Sequence, residues 1–229
     1  MILCIDTATE AASICIANEG TPLHTLINTD QKDHAGWIQV AISQLLQECQ
    51  LTLQQLKAVA VTEGPGSYTG LRVGMATAKG FCYALQLPLI TVNTLKVMAY
   101  GAKIQWLPLS DRPNGKVLLC PMIDARRMEV FTAVYDEALE PLVAPKALIL
   151  DAFSFQDSLQ NETLICFGSG AAKWKTISRY PNVLFRDESI NLAPALAKLA
   201  TSLYFNGNFA DLAYAEPVYI KEFYTYTKK

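Results

Sequence analysis

The chain has 229 residues, half of them hydrophobic and only 17% charged, with a formal net charge of −2. That is enough apolar material for a sizeable core in one large domain or two small ones, and it excludes a disordered chain. It also excludes a protein that grips nucleic acid unaided. Displacing phosphate counterions needs a basic patch, and Lys228-Lys229 is only a tail.

The first elements read as a β-meander: Ile2–Ile5 ending at Asp6, Ser13–Ala17, the turn signal Asn18-Glu19-Gly20, then Leu23–Asn28. After Asp33 the period changes. Trp37, Ala41, Leu45 and Cys49 form one stripe with Ile38, Ile42 and Leu46 beside it, which predicts an amphipathic helix with a wide apolar face. Thr52–Gln55 caps a short turn, Ala58–Thr62 is a buried strand, and the loop Gly64-Pro65-Gly66-Ser67-Tyr68-Thr69-Gly70 opens a second helix to Leu85. Leu87–Val92 is the next strand, and Asn93 caps a helix through Lys103. Pro108, Asp111, Pro113, Asn114 and Gly115 then mark a linker.

The pattern restarts beyond it. Lys116–Ile123 ends at Asp124, and Glu129–Tyr135 and Ala144–Leu150 complete three strands. A helix at Ala152–Leu159, a strand at Leu164–Phe167, a helix at Ala171–Tyr180 after Gly168-Ser169-Gly170, a strand at Val183–Phe185 and a helix at Leu192–Phe205 follow. Three meandering strands followed by αβα units, written twice, predict an α/β protein of two similar lobes with mixed sheets and flanking helices. The lobes are residues 1–106 and 107–214, with the aromatic-rich end 215–229 packing back onto the first.

The six cysteines form no CxxC pair and most lie in apolar runs, which points to buried, reduced thiols in a cytoplasmic protein. The start lacks the basic flank and cleavage site of a signal peptide, and the apolar stretch Gly80–Leu95 is too short and too polar to span a bilayer.

Catalytic constellations are thin. Asp6 and Asp124 stand at matching places, each ending the first strand of a lobe. Such a carboxylate either positions a metal or water near phosphate or caps its own turn. Asp6, Thr7, Thr9 and Asp124 are the candidate anion or nucleotide residues. The Gly64–Gly70 loop matches neither the P-loop nor the dinucleotide fingerprint, so it is either an anion site or a tight strand-to-helix connection. His24 and His34 form no metal-ligand pair, and no serine has a hydrolase context, so no metal site is expected. In the helix after the loop, Gly70, Gly74, Ala78 and Cys82 recur every four residues, with Ala76, Gly80 and Ala84 alongside. Glycine costs about 1 kcal/mol in a helix interior. Close packing offsets that cost, either internally against the sheet or externally against another protein.

Ile5-Asp6-Thr7-Ala8-Thr9-Glu10, Gly64–Gly74, Ile123-Asp124-Ala125-Arg126 with Glu129-Val130, and Ala215-Glu216-Pro217-Val218-Tyr219-Ile220 together resemble the bacterial TsaB (YeaZ) family over nearly the whole chain. The stretch Leu139–Asn208 matches least. The resemblance implies the two-lobed actin/Hsp70/sugar-kinase (RNase H-like) fold. It also implies a role in making threonylcarbamoyladenosine in tRNA, as a non-catalytic subunit that binds and orders the catalytic, metal-bearing paralogue TsaD. That paralogue's His-x-x-x-His motif is absent here. Implied partners are TsaD, the ATPase TsaE, a second copy of the chain in their absence, and tRNA through the complex. No cofactor is expected on the chain alone; whether ATP or ADP binds at the complex interface stays open at this point. The family's contact surface corresponds to the helices near His34–Cys49 and Gly70–Leu85. The interface residues it implies are His34, Trp37, Ile38, Ala41, Leu45, Gly70, Gly74, Ala78 and Cys82. The competing reading is a stand-alone ATPase or kinase of the same fold that uses Asp6 and Asp124; a metallopeptidase lacks a zinc set.

Overall fold

The computed structural model describes residues 1–30, 34–108, 115–156 and 162–220. The expected linker residues Asp111, Pro113 and Asn114, the end of the expected helix Ala152–Leu159, and 221–229 lie outside this set. So does the side chain of His34.

The chain builds two five-stranded sheets of the same design. In the first, β1 (Ile2–Asp6), β2 (Ala12–Asn18) and β3 (Thr21–Asn28) form an antiparallel meander. Glu19 and Gly20 turn β2 into β3 with φ of 49° and 80°, the two positive values that a tight two-residue hairpin favours. β4 (Ala58–Gly64) then pairs parallel with β1, and β5 (Leu89–Asn93) with β4, giving the order β3-β2-β1-β4-β5. In the second, β6 (Val117–Asp124), β7 (Glu129–Tyr135) and β8 (Pro141–Ile149) repeat the meander, and β9 (Thr163–Phe167) and β10 (Val183–Arg186) add on in parallel, giving β10-β9-β6-β7-β8. The duplicated element order of the sequence is therefore a duplicated topology.

Period-two alternation splits each sheet between two cores. Leu3 and Ile5 of β1 face α1 (His34–Glu48) and α2 (Tyr68–Leu85), while Ile2 and Cys4 face α3 (Thr94–Trp106) and α5 (Leu192–Phe205). α3 and α5 form the layer between the sheets, and the same core takes in Val117, Leu119 and Ile165 of the second sheet. The ring of Trp106 meets that of Phe167 edge-on at 5.1 Å and so ties α3 to β9. The far face of the second sheet packs around Trp174 of α4 (Ala171–Lys175).

Three elements differ from their sequence reading. Helix α5 follows the second sheet in the chain but lies across the first, against all five of its strands and α3. Its buried face is Leu192, Ala193, Ala195, Leu196, Ala197 and Ala200, mostly small residues that let the helix sit close on a sheet. Residues 152–156 form turns because the Asp151 side chain accepts from Phe153 N and Ser154 Oγ, and Phe155 takes a φ of 65°. α4 ends at Lys175, where the Ile177 amide joins that of Ser178 on the Trp174 carbonyl and tightens the last turn. Among the described residues no helix is long and apolar enough to cross a membrane.

Trp106 is the aromatic bridge between α3 and the second sheet, so Trp106→Ala should lower unfolding free energy by about 3–5 kcal/mol in urea denaturation. A loss under about 1 kcal/mol would show that the layer between the sheets does not depend on it.

Candidate functional site

The site is the junction of the turn after β1, the glycine loop and α2. Asp6 ends β1 and is fully buried. Its Oδ1 accepts from Ala8 N at 3.2 Å and Thr62 Oγ1 at 2.7 Å, while Oδ2 has no partner. Burial pushes the carboxyl up to about 6, against the opposing pull of the Thr62 and Ala8 bonds. Thr7 is buried as well and donates from Oγ1 to Gly70 O at 2.7 Å. Thr9 is half-buried and donates to Ala11 O.

The glycine loop lies directly on this turn. Ser67 N donates to Ala8 O at 2.7 Å, and Ser67 Oγ caps α2 by accepting from Gly70 N. A Cβ on Gly66 would collide with the Ala8 carbonyl, one on Gly70 with the Thr7 carbonyl, and one on Gly74 with Thr7 Oγ1. The loop amides of Ser67 and Gly70 are thus engaged inside the protein, so the structure favours the tight-connection reading over an anion cradle.

The second lobe repeats the motif in a more open form. Asp124 ends β6, and its Oδ1 accepts from Arg126 N, as Asp6 accepts from Ala8 N two residues on. Both aspartates therefore cap their own turns. Asp124 is exposed, however, and pairs with Lys173 Nζ at 2.6 Å. Partial burial works to raise its pKa, but the Lys173 ammonium and the Arg126 amide outweigh that and hold the carboxyl below its ordinary value. Gly168 and Gly170 lie against Met122 and Asp124 as Gly66 and Gly70 lie against Ala8 and Thr7.

The interface residues expected on α1 and α2 need correction. Ile38, Ala41, Leu45, Gly70, Gly74, Ala78 and Cys82 are buried in the chain's own core, packed on β1, β2 and β4. Of that set Trp37 keeps part of its surface; His34 opens α1. The face that α1 and α2 turn outward carries Val40, Ala76, Gly80, Tyr83 and Ala84. Val40 is 68% and Tyr83 75% exposed. A Cβ added at Gly80 would meet nothing within 4 Å, so no internal contact accounts for a glycine in mid-helix.

A cluster not anticipated from spacing borders this face. Arg72 donates from Nε to Tyr219 OH at 2.9 Å and lies 3.9 Å over the Tyr68 ring, and Lys79 Nζ donates to the carbonyls of Ala213 and Ala215. With Val218 N on Glu63 O, these contacts strap residues 213–219 along α2. The only sequence signal was that Arg72 and Tyr219 fall in two of the blocks that carry the family resemblance.

Residues 26–206 match the family "TsaD: tRNA N6-adenosine threonylcarbamoyltransferase". The chain is 30% identical over 231 residues to the Escherichia coli tRNA threonylcarbamoyladenosine biosynthesis protein TsaB, covering 96% of this chain and 94% of that one. It is 29% identical to the Haemophilus influenzae protein of the same name, covering 99% and 96%. YeaZ from Pseudomonas aeruginosa superposes with a TM-score of 0.80 at 24% identity over 95% of this chain and 98% of that one. That likeness establishes the two-lobed α/β fold expected from the sequence.

The Asp6 carboxyl yields a pH signature. Its folded pKa lies above the unfolded value, so it favours the folded state at low pH, and this contribution is lost as pH rises from about 4 through about 6. The full swing is about 3 kcal/mol. Asp6→Asn keeps an oxygen for Ala8 and Thr62 and should flatten that part of the stability profile. Superimposable profiles for the two proteins between about pH 4 and 7 would refute the assignment.

Proposed function

The chain belongs to the TsaB family of tRNA threonylcarbamoyladenosine biosynthesis proteins, and from that premise we propose that it is a non-catalytic subunit of the modifying complex that binds and orders the catalytic paralogue, TsaD. The observation that carries this reading is the outward face of α2. Gly80 stands in open space, the exposed Ala76 and Ala84 lie four residues to either side of it, and Tyr83 of α2 and Val40 of α1 are exposed apolar side chains. Small residues on an exposed helix let a second helix approach closely, and the neighbouring apolar side chains supply the area that rewards it. A glycine that costs helix stability and relieves no internal crowding fits a surface kept flat for a partner.

One further feature favours a subunit without chemistry of its own: one oxygen of Asp6 and one of Asp124 are taken by amides of their own turns, and the Ser67 and Gly70 amides of the loop are already bonded. The chain holds no cofactor alone, ATP or ADP being taken up at the interface of the assembled complex. TsaE joins that complex, a second copy of the chain occupies the α1–α2 face when TsaD is absent, and the work is done in the cytoplasm.

Gly80→Trp should fold and lose at least about tenfold in affinity for TsaD by titration calorimetry. Gly80→Ala should raise stability by about 1 kcal/mol. Gly74→Val, by contrast, should damage the fold, because its side chain would collide with Thr7. Unchanged TsaD affinity in a folded Gly80→Trp would overturn the docking face. Magnesium-dependent ATP turnover by the chain alone would overturn the non-catalytic reading.

A further inference from the structure

The β6–β7 turn of the second lobe is held in a form that its residues do not favour. Arg126 and Arg127, in succession, have φ of 71° and 47°, a region sparsely populated by residues with a Cβ. A dense set of bonds holds them there. Asp124 Oδ1 accepts from Arg126 N and from Lys173 Nζ, both at 2.6 Å; Lys173 Nζ also reaches Glu129 O at 3.1 Å. Asp124 N donates to Ser169 Oγ, Ala125 N to Glu129 O, and Glu129 N to Arg126 O. The result is a rigid turn that leaves Arg126, Arg127 and Met128 exposed.

A second rigid turn stands beside it, joined by the bond from Leu150 N to Met128 O at 2.7 Å. Asp151 accepts from Phe153 N and Ser154 Oγ, and its carbonyl accepts from Nε1 of the buried Trp174 at 2.9 Å. This turn holds Phe153 67% exposed, and Ile149, which ends β8 four residues earlier, is 71% exposed. A fully buried tryptophan thus anchors a turn whose own aromatic ring faces water. Asp124 and Asp151 are exposed, but each is bonded within the region, Asp124 to Lys173 and Asp151 to the residues of its own turn.

We propose that these two turns form a contact site for an unpaired stretch of RNA, with Arg126 and Arg127 on phosphates and the Phe153 ring stacked on a base. The pairing of exposed guanidinium groups with a preorganised aromatic surface is the chemistry by which single-stranded nucleic acid is held. The site is too small to bind RNA strongly by itself, which agrees with a net charge of −2; it adds register to a grip supplied by the rest of the complex. This inference rests on the proposed place of the chain in a tRNA-modifying complex.

The test is fluorescence anisotropy of an unmodified tRNA transcript with the chain assembled with TsaD. The variants are Arg126→Asn with Arg127→Asn (asparagine tolerates the left-handed backbone), the corresponding double lysine variant, and Phe153→Ala. The asparagine pair should weaken binding about tenfold and make the log–log salt slope shallower by about 1.4, the value for two single-strand phosphate contacts. The lysine pair should keep most of the slope, and Phe153→Ala should cost at least about fivefold. Assembly with TsaD, read by gel filtration, should be unchanged. Wild-type affinity and slope in the asparagine and alanine variants would overturn the site. So would loss of assembly with no change in the tRNA binding of the chain alone, which would make the surface a protein contact. If the wild-type chain does not assemble with TsaD, the docking proposal fails, and the same variants titrated as the chain alone decide the RNA site.

Discussion

The backbone of Thr7 and Ala8, with the Thr7 hydroxyl, occupies the space that side chains at residues 66, 70 and 74 would need. With glycine at those positions, the loop after β4 closes onto the turn after β1, and Ser67 N reaches Ala8 O. Much follows from that approach. It sets α2 down on β1 and β4 with its Gly70–Cys82 stripe inward. It buries the Asp6 carboxyl beneath the loop, where losing water disfavours its charge. It also leaves the opposite stripe of α2, around Gly80, facing out.

The second lobe shows the same construction under looser constraint. There the helix that follows the glycine loop, α4, has only five residues, and the aspartate stays at the surface. An exposed carboxylate next to an ammonium keeps its charge, whereas a buried one with an unpartnered oxygen resists it. One topology therefore yields a sealed turn in the first lobe and an open, charged one in the second. The difference comes from what covers each turn: the glycine loop and α2 in one case, solvent in the other.

Much of this was legible in the residues. Strand alternation, the Asn18-Glu19-Gly20 turn and the cap Asn93 place most elements to within a few residues, because these signals are local. The side on which α2 packs was not legible. Gly70-Gly74-Ala78-Cys82 and Ala76-Gly80-Ala84 are both small-residue stripes, and Thr7, far away in the chain, decides which is buried. The sheet that receives α5 was equally hidden, since a face of alanines fits either one. The helix expected at 152–159 failed in its described part because a local Asp–Ser bonding pattern competed with the helix and won.

Because α5 covers one face of the first sheet, the order of synthesis and the order of packing do not coincide. Strands β1 to β5 leave the ribosome long before residue 205 does, and until then Ile2, Cys4, Ala58 and Ile90 lack the helix that lies across their sheet. The nascent first lobe is a half-clad sheet, and such a surface is what chaperones bind and what aggregates when they do not. A stall or truncation in the last quarter of the chain therefore harms the first quarter, and the burden of a late lesion falls on elements that were made first.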